Sequence, residues 1–139
     1  MYQSLQGNLG LGKAIEYFTS QGITVALPLN DTQKYDLIAD INGKLQRISV
    51  KTSRSTKNNI SYTVQLRNTG GSSGLSRIRK FENDSCDYLF IYTANEKIYL
   101  IPTENLEMLS AITVGLKYTE YEVKIQKFND FIEKIDDNQ

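Results

Sequence analysis

A carboxylate, a hydroxyl and an ammonium group occur close together in the stretch YDLIADINGKLQRISVKTS, residues 35–53, as Asp36, Ser49 and Lys51. A carboxylate can hold a divalent cation, and an ammonium group can neutralise an anion or orient a water molecule. If the fold brings the three side chains together, they could act on a phosphate ester. An ion pair between Asp36 and Lys51 that only stabilises the fold explains the same residues equally well.

The dipeptide Asn42-Gly43 decides this placement, because it is the strongest short signal for a two-residue β-turn. If both residues occupy the centre of the turn, the numbers of paired residues sum to 85. Asp36 then lies opposite Ser49. Since side chains alternate along a strand, Lys51 shares their face as a diagonal neighbour at roughly 7 Å. The other, apolar face is expected to hold Tyr35, Leu37, Ile48 and Val50.

Hydrophobic periodicity predicts the remaining helices and strands. Leu11, Ala14, Ile15 and Phe18 recur at helical spacing in a helix expected over residues 4–21. Strands are expected over residues 23–27, 60–67, 87–93 and 97–101, a flexible loop over 68–76, a short helix over 102–109 and another helix around 128–135. The predicted buried face of strand 60–67 consists of Ile60, Tyr62, Val64 and Leu66. This order predicts an α/β (α+β) fold with a mixed central β-sheet flanked by helices, in a single domain over residues 1–139.

The formal net charge of zero hides an asymmetry along the chain. Between residues 41 and 81 there are nine cations and no Asp or Glu, whereas residues 82–139 carry twelve acids and five lysines. Because the basic block contains strand-like segments, it predicts a folded basic face, which is the electrostatic footprint of a nucleic-acid-binding protein. A solvated face that the acidic C-terminal third neutralises is the alternative.

Ten polar residues in and beside this block are candidates for contacts with duplex DNA. Strand 60–67 has one polar face, and a strand pair can enter the major groove as a β-ribbon. The candidates for base readout are Ser61, Thr63, Gln65, Arg67 and Asn68. The candidates for phosphate contacts are Arg54, Lys57, Arg77, Arg79 and Lys80. A solvated sheet face explains the alternation as well.

Composition excludes several classes of site. The chain has no histidine and one cysteine, Cys86, so the common zinc sites and an intramolecular disulfide cannot form. Any metal is therefore expected to be a hard cation bound by oxygen atoms, and Cys86 is expected to be buried. No apolar run approaches the roughly 20 residues that span a bilayer, and the N-terminus lacks a signal-peptide pattern, so a cytoplasmic location is expected.

The segment GNLGLGKAIEYFTSQGITVALPLNDTQKYDLIADINGKLQRISVKTS resembles the N-terminal half of the PD-(D/E)XK, or restriction-endonuclease-like, nucleases. The likeness is to the small group I intron-encoded homing endonucleases and their archaeal Holliday-junction-resolvase relatives. In this family a helix and a strand precede a hairpin that carries Asp, followed by Glu, Asp or Gln, one residue and Lys. Asp36, position 49, Val50 and Lys51 match this order and spacing, and the later element IYLIPTENL extends the likeness to about two thirds of the chain.

The resemblance implies a Mg²⁺ site. Asp36 would hold the ion together with residue 49 and the backbone carbonyl of Val50, and Lys51 would orient the attacking water or stabilise the transition state. Two positions depart from the family pattern. Ser49 stands where the family usually has Gln, Glu or Asp, and Leu11 stands where the family commonly has Glu after a glycine of the first helix.

The resemblance also implies an activity and an assembly. The family members cut both strands of duplex DNA, which needs two active centres, so a homodimer or a homotetramer is expected. Because serine is a poor Mg²⁺ ligand and leucine is none, impaired cleavage is expected of this chain. Leu11 also fits the apolar stripe of its helix, which is the purely structural explanation. A non-catalytic DNA-binding or protein-interaction domain on the same fold is the alternative function.

Overall fold

Helices and short strands make up most of the chain. The computed structural model describes residues 2–30, 32–66, 68–70, 77–79, 85–107 and 110–137, with the backbone alone for residues 2–3, 68–70 and 77–79. The helices are α1 (Tyr2–Ser20) and α2 (Phe128–Asp137). The strands are β1 (Val25–Ala26), β2 (Leu37–Ile41), β3 (Lys44–Ser53), β4 (Tyr62–Gln65), β5 (Asn68–Gly70), β6 (Arg77–Arg79), β7 (Tyr88–Thr93), β8 (Ile98–Pro102), β9 (Ala111–Val114) and β10 (Glu122–Val123). Single 3₁₀ turns span Thr103–Asn105 and Thr119–Tyr121.

Six of these strands form one mixed sheet in the order β1-β2-β3-β7-β8-β10. β3 and β7 run parallel, and the other neighbouring pairs are antiparallel. A parallel pair needs a long crossover connection, and the segment between β3 and β7 supplies it. β4 pairs with β9 and β5 pairs with β6 in two small antiparallel ribbons. The predicted mixed sheet with flanking helices is confirmed.

Apolar side chains cover both faces of the mixed sheet. The core between the sheet and α1 contains Ala14, Tyr17, Phe18, Leu37, Ala39, Ile48, Phe90 and Ile98. The core on the opposite face contains Tyr62, Val64, Leu66, Cys86, Leu89, Ile91, Tyr99, Ile101, Ile112, Val114 and Tyr118. β3 and β7 therefore pass between two cores, which is typical of strands in parallel arrangement. Over the described residues, no helix is both long and apolar enough to cross a bilayer.

The turn at Asn42-Gly43 has the predicted geometry. Asn42 has a φ of 54° and Gly43 a φ of 82°, so both residues adopt the left-handed conformation of a type I′ turn. The pairs between β2 and β3 run from Ile41 with Lys44 to Leu37 with Ile48. Each pair sums to 85, so the predicted register is confirmed from Leu37 to Ile41, while Asp36 precedes the paired strand.

Two predictions about the chain between β3 and β7 are wrong. Ile60 is 56% exposed rather than buried. The Asn58 side chain accepts the main-chain N–H groups of Ile60 and Ser61 in a turn, and β4 begins only afterwards. The loop expected from residue 68 is also wrong at its start, because residues 68–70 form β5 and pair with β6. Residues 71–76 lie outside the described part of the chain.

Two further predictions fail beside the mixed sheet. Tyr35 packs against the core opposite α1 rather than on the face of Leu37, because β2 begins only at Leu37 and the residues before it do not follow the strand alternation. The helix expected from Pro102 is a single 3₁₀ turn. Leu106, with φ −75° and ψ 130°, returns the backbone to an extended conformation.

Gly10 permits the close approach of α1 to β3. A Cβ atom at residue 10 would lie 2.4 Å from Cγ2 of Thr52 and 3.2 Å from Cγ1 of Val50. Four residues earlier, Nε2 of Gln6 donates to the Thr52 hydroxyl over 2.8 Å. The helix is thus packed directly on the strand that carries Lys51.

Gly10→Ala is expected to lower the free energy of unfolding by about 1–3 kcal/mol, because the added methyl group overlaps the Thr52 side chain. Gly12→Ala is the matched control. A Cβ there meets nothing within 4 Å, so this variant is expected to gain about 0.5–1 kcal/mol from helix propensity. Urea denaturation of both variants measures the difference, and equal stabilities would contradict the close packing.

Candidate functional site

The Asp36 carboxylate lies at the start of β2, beside an edge of β3. Its main-chain N–H donates to the Ile48 carbonyl over 2.8 Å, and its Oδ2 accepts the Val50 N–H over 2.7 Å. The regular strand pairing ends at Leu37 with Ile48, and the Asp36 N–H also bonds to β3, whereas the Asp40 N–H donates to Thr24 on the other side. Asp36 therefore lies beside Ile48 and Val50 but outside the regular ladder, and the predicted pair of Asp36 with Ser49 is not formed as a strand pair. The bond from the Val50 N–H holds the carboxylate in one orientation against the strand.

The Val50 carbonyl faces the same edge of β3 as the Asp36 carboxylate. The N–H and the C=O of one strand residue point in the same direction, and the Val50 N–H points to Asp36. On the other edge, the Ser53 carbonyl accepts the Ala94 N–H over 2.9 Å, just beyond β7. Odd-numbered residues of β3 therefore bond toward β7. The charged Asp36 carboxylate and the neutral Val50 carbonyl therefore lie at the same edge of β3.

Lys51 is half-buried, in register with Ile91 on the face opposite α1. Burial lowers the pKa of the Lys51 ammonium group below its ordinary value, while the Asp36 carboxylate and the Cys86 thiol act to raise it. The ammonium group thus lies within electrostatic reach of Asp36. That the two side chains share one sheet face stays a prediction, because Asp36 precedes β2.

Ser49 lies deeper than the other two polar side chains and is only 4% exposed. Its neighbour is Cys86, whose sulfur accepts the Ser49 N–H and which is buried as the sequence predicts. Burial raises the pKa of the Cys86 thiol to about 11, against hydrogen bonds from Ser49 and Ser85 that lower it. No sequence motif places Cys86 here, because its position depends on the parallel pairing of β3 with β7.

An ion pair between Arg47 and Asp87 anchors β7 beside β3. Oδ2 of Asp87 accepts the Arg47 main-chain N–H over 2.7 Å, and the Asp87 N–H donates to the Arg47 carbonyl over 2.8 Å. The guanidinium group lies 3.4 Å from Oδ1. Burial acts to raise the pKa of Asp87, but these Arg47 contacts outweigh it and lower the pKa. Sequence reasoning missed this pair, although an Asp directly before an apolar strand was a visible signal.

A cleft of about 660 Å³ opens beside Asp36. Its lining consists of Leu11, Leu27, Pro28, Leu29, Asn30, Gln33, Tyr35 and Asp36. Leu11 belongs to the apolar stripe of α1 and is half-buried, so it contributes to the core and to the cleft wall together. The position where the family carries Glu therefore faces the same space as Asp36. Glu16, on the same helix, is exposed.

The donor set of the site fits a single hard cation weakly. It offers one carboxylate, from Asp36, and one carbonyl, from Val50, at the same strand edge. Across the described residues there is no cluster of three or more His, Cys, Asp or Glu side chains. Mg²⁺ commonly keeps several waters and takes one or two carboxylates plus phosphate oxygens, so the set satisfies the minimum. The buried Ser49 hydroxyl and the apolar Leu11 add little to it.

The predicted DNA contacts lie in two places. Arg54 and Lys57 are exposed after β3. On the β4–β9 ribbon, Thr63 and Gln65 face away from the buried Tyr62 and Val64, with Gln65 exposed and Thr63 half-buried. The half-buried Ser61 hydroxyl donates to Oδ1 of Asn58 over 3.1 Å. Sequence reasoning missed β9, which places Thr113 beside Thr63 on the exposed ribbon face.

The remaining five candidates fall in the second ribbon or beyond the described residues. Asn68 belongs to β5 and pairs with Arg79 of β6, where Arg77 also lies. Their backbones are placed side by side in a two-stranded ribbon. Arg67 and Lys80 lie outside the described residues.

Comparison with known proteins places the chain among nucleases. The family model of the PD-(D/E)XK endonucleases matches residues 1–134. Among solved structures, the fold is similar to that of a bacterial homing endonuclease, I-Ssp6803I, with a TM-score of 0.71 and 23% sequence identity. The match covers 98% of this chain and 96% of that protein. At this identity the likeness shows a shared fold. No curated protein matches the sequence.

The Cys86 thiol is expected to make stability depend on pH. Its pKa is about 11 in the folded protein against an ordinary 9.0, so its contribution is complete below pH 9 and is lost as the pH rises toward 11. Cys86→Ala removes this titration and, besides it, only the contribution of Cys86 to the pKa of Lys51. The difference in unfolding free energy between the parent and the variant is therefore expected to shrink over that range in urea titrations. Parallel pH profiles would contradict the buried thiol.

Proposed function

The chain belongs to the PD-(D/E)XK endonuclease family, and from this premise we propose that it is a site-specific DNA endonuclease of the homing type. In the proposed reaction it hydrolyses one phosphodiester bond in each strand of duplex DNA with Mg²⁺ and leaves a double-strand break. The observation that carries the proposal is the Asp36 carboxylate, which the Val50 N–H holds at 2.7 Å next to the half-buried Lys51.

Asp36 and the Val50 carbonyl would hold the Mg²⁺ ion. When bound, the ion lowers the pKa of a water molecule and neutralises charge on the scissile phosphate. The Val50 N–H keeps the second carboxylate oxygen engaged, so the other oxygen is directed to the ligand. The Lys51 ammonium group neutralises charge on the phosphate in the transition state or orients the attacking water. Because burial lowers the pKa of Lys51, this group loses its proton at a lower pH than an exposed lysine does.

The single carboxylate supports impaired cleavage. Leu11 puts an apolar side chain on the cleft wall that the Asp36 carboxylate also lines, and the hydroxyl of Ser49 is buried. A site with one carboxylate binds Mg²⁺ weakly until a DNA phosphate supplies further oxygens. This same observation favours the second candidate, a DNA-binding domain on the nuclease fold that does not cut.

Duplex DNA is the proposed partner, read by the exposed face of the β4–β9 ribbon. Thr63, Gln65 and Thr113 offer hydroxyl and amide groups there, and such groups form hydrogen bonds with base edges in the major groove. Arg54 and Lys57 are proposed to contact phosphates. Since one centre cuts one strand, a homodimer or homotetramer would supply the second centre.

End mapping on genomic DNA tests the endonuclease proposal, because it samples every sequence in a genome as a target. Incubation with Mg²⁺ is expected to produce paired 5′ ends at a small number of sites. Asp36→Asn and Lys51→Ala are expected to reduce the yield of ends roughly a hundredfold or more, because each removes a charge that acts on the phosphate. Deep sequencing of the ends measures the yield.

Three results separate the two candidate functions. Paired ends that need Mg²⁺, Asp36 and Lys51 support the endonuclease. Binding of duplex DNA with no new ends in any divalent cation supports the DNA-binding domain. If Asp36→Asn and Lys51→Ala produce the same DNA ends at the same yield as the parent, the cleavage does not occur at this site.

Leu11→Glu is expected to strengthen divalent-cation binding at least roughly tenfold, because a second carboxylate would line the cleft next to Asp36. Calorimetry with Mg²⁺ measures the affinity, and the yield of DNA ends measures the accompanying gain in cleavage. Adding Ser49→Gln is expected to increase cleavage further. It also overpacks a residue that is 4% exposed, so thermal melting must accompany this variant.

Leu5→Glu is the matched control for Leu11→Glu. Leu5 lies on the same helix and is 57% exposed, so the substitution adds the same charge away from the cleft. Its Mg²⁺ affinity is expected to stay at the parent value. Equal affinities of the two variants would sink the proposed metal position.

A further inference from the structure

We propose that Leu27, Pro28 and Leu29, here called the leucine wedge, insert into the minor groove of the duplex beside the phosphate that Asp36 acts on. The inserted leucine would partly unstack a base step and kink the DNA. This inference rests on the proposed function, because it needs duplex DNA in the cleft. It adds a DNA-deforming element to the two groups of contacts already described.

Exposure sets the leucine wedge apart from other apolar residues of the site. The Leu29 side chain is fully exposed and Leu27 is 53% exposed, whereas Pro28 between them is half-buried. Single exposed leucines are ordinary on protein surfaces. Two of them on either side of an anchored proline, all lining one cleft with a catalytic carboxylate, form a projecting apolar edge.

Strand register places the leucine wedge next to Asp36. β1 pairs with β2 through Val25 with Ala39 and Ala26 with Ile38, so paired numbers sum to 64. The leucine wedge follows directly after Ala26, which pairs with a residue two positions beyond Asp36, and the wedge and Asp36 line one cleft. A phosphate at Asp36 would therefore bring the adjoining groove of the same duplex to the leucine wedge.

The Asn30 side chain makes hydrogen bonds directly after the leucine wedge. Oδ1 of Asn30 accepts the Thr32 hydroxyl over 2.8 Å, the Thr32 N–H over 3.4 Å and Nε2 of Gln33 over 3.3 Å. Asn side chains close turns in this way. The bond to Gln33 links the end of the leucine wedge to a second residue of the cleft lining.

The size and chemistry of the surface favour duplex DNA over a second protein. Stable protein interfaces bury roughly 1,200–2,000 Å² in total, which two leucines and a proline cannot supply. Minor-groove proteins, in contrast, kink DNA with one or two inserted side chains, commonly Leu, Ile, Phe, Met or Pro. Flexible pyrimidine–purine steps accept such a kink most easily, so the leucine wedge would favour targets with these steps near the cut.

Single-tryptophan variants test the insertion, because the chain contains no tryptophan. Leu29→Trp places the reporter on the leucine wedge. Leu45→Trp is the matched control, since Leu45 is 67% exposed but pairs with Asp40 near the turn of the β2–β3 hairpin, away from Asp36. Both variants are titrated with a 40-base-pair mixed-sequence duplex in EDTA, while fluorescence anisotropy of the labelled DNA reports binding independently. Stacking on bases is expected to quench the indole emission of Leu29→Trp roughly twofold at saturation and to leave the emission of Leu45→Trp unchanged.

Permanganate oxidation of the duplex gives a second readout with smaller substitutions. Unstacked thymines at TA steps are expected to become reactive with the parent protein and with Leu45→Ala. The reactivity is expected to disappear with Leu29→Ala, which remains folded because the side chain is fully exposed.

Three outcomes would overturn the leucine wedge. In the first, anisotropy reports DNA binding, but the emission of Leu29→Trp and the thymine reactivity stay at their values without complex. This result would rule out the insertion and would leave the endonuclease proposal intact. No binding to the duplex in any variant removes both proposals. In the third, the emission of Leu29→Trp changes with protein concentration before DNA is added. This result would show that the leucine wedge contacts a second protein molecule.

Discussion

Positive φ angles at Asn42 and Gly43 turn β2 back onto β3 in one register, and the rest of the site depends on this register. A shift by one residue would exchange the two faces of the strand. Lys51 would then lie under α1, and the Val50 N–H would no longer reach Asp36. Residues with branched side chains resist these angles, so the local backbone chemistry of two residues determines where the charged groups lie.

Polar residues on β3 lie at a boundary between two apolar cores. Val50 faces the core under α1, while Ser49 and Lys51 face the side that Leu89 and Ile91 fill. Burial of an ammonium group opposes its charge, which is why the Lys51 pKa falls although Asp36 is near. The fold thus holds a partly desolvated cation at this position, an arrangement that is common at functional sites and also occurs in structural ion-pair networks.

Features of the site that depend on neighbouring residues could be predicted from the sequence. Few of the features that depend on contacts between distant segments could be predicted. The hairpin and its register from Leu37 to Ile41 follow from the turn dipeptide and from strand alternation. The parallel pairing of β3 with β7 joins segments about forty residues apart, and no short pattern encodes such a crossover. For that reason the contacts of Cys86 and Asp87 with β3 are visible only in the structure. The prediction for Tyr35 is wrong because strand alternation does not extend to residues that precede the strand.

The ion pair between Arg47 and Asp87 has a consequence for the basic block of residues 41–81. Each lysine or arginine that contacts a DNA phosphate displaces condensed counterions, and the salt dependence of the affinity counts those contacts. Arg47 already donates its main-chain N–H and its guanidinium group to Asp87 inside the sheet. Of the nine cations in the block, this one is engaged with β7. If the block binds duplex DNA as proposed, the ionic-strength dependence of that affinity will be shallower than the charge of the block implies, because part of the charge pairs within the fold.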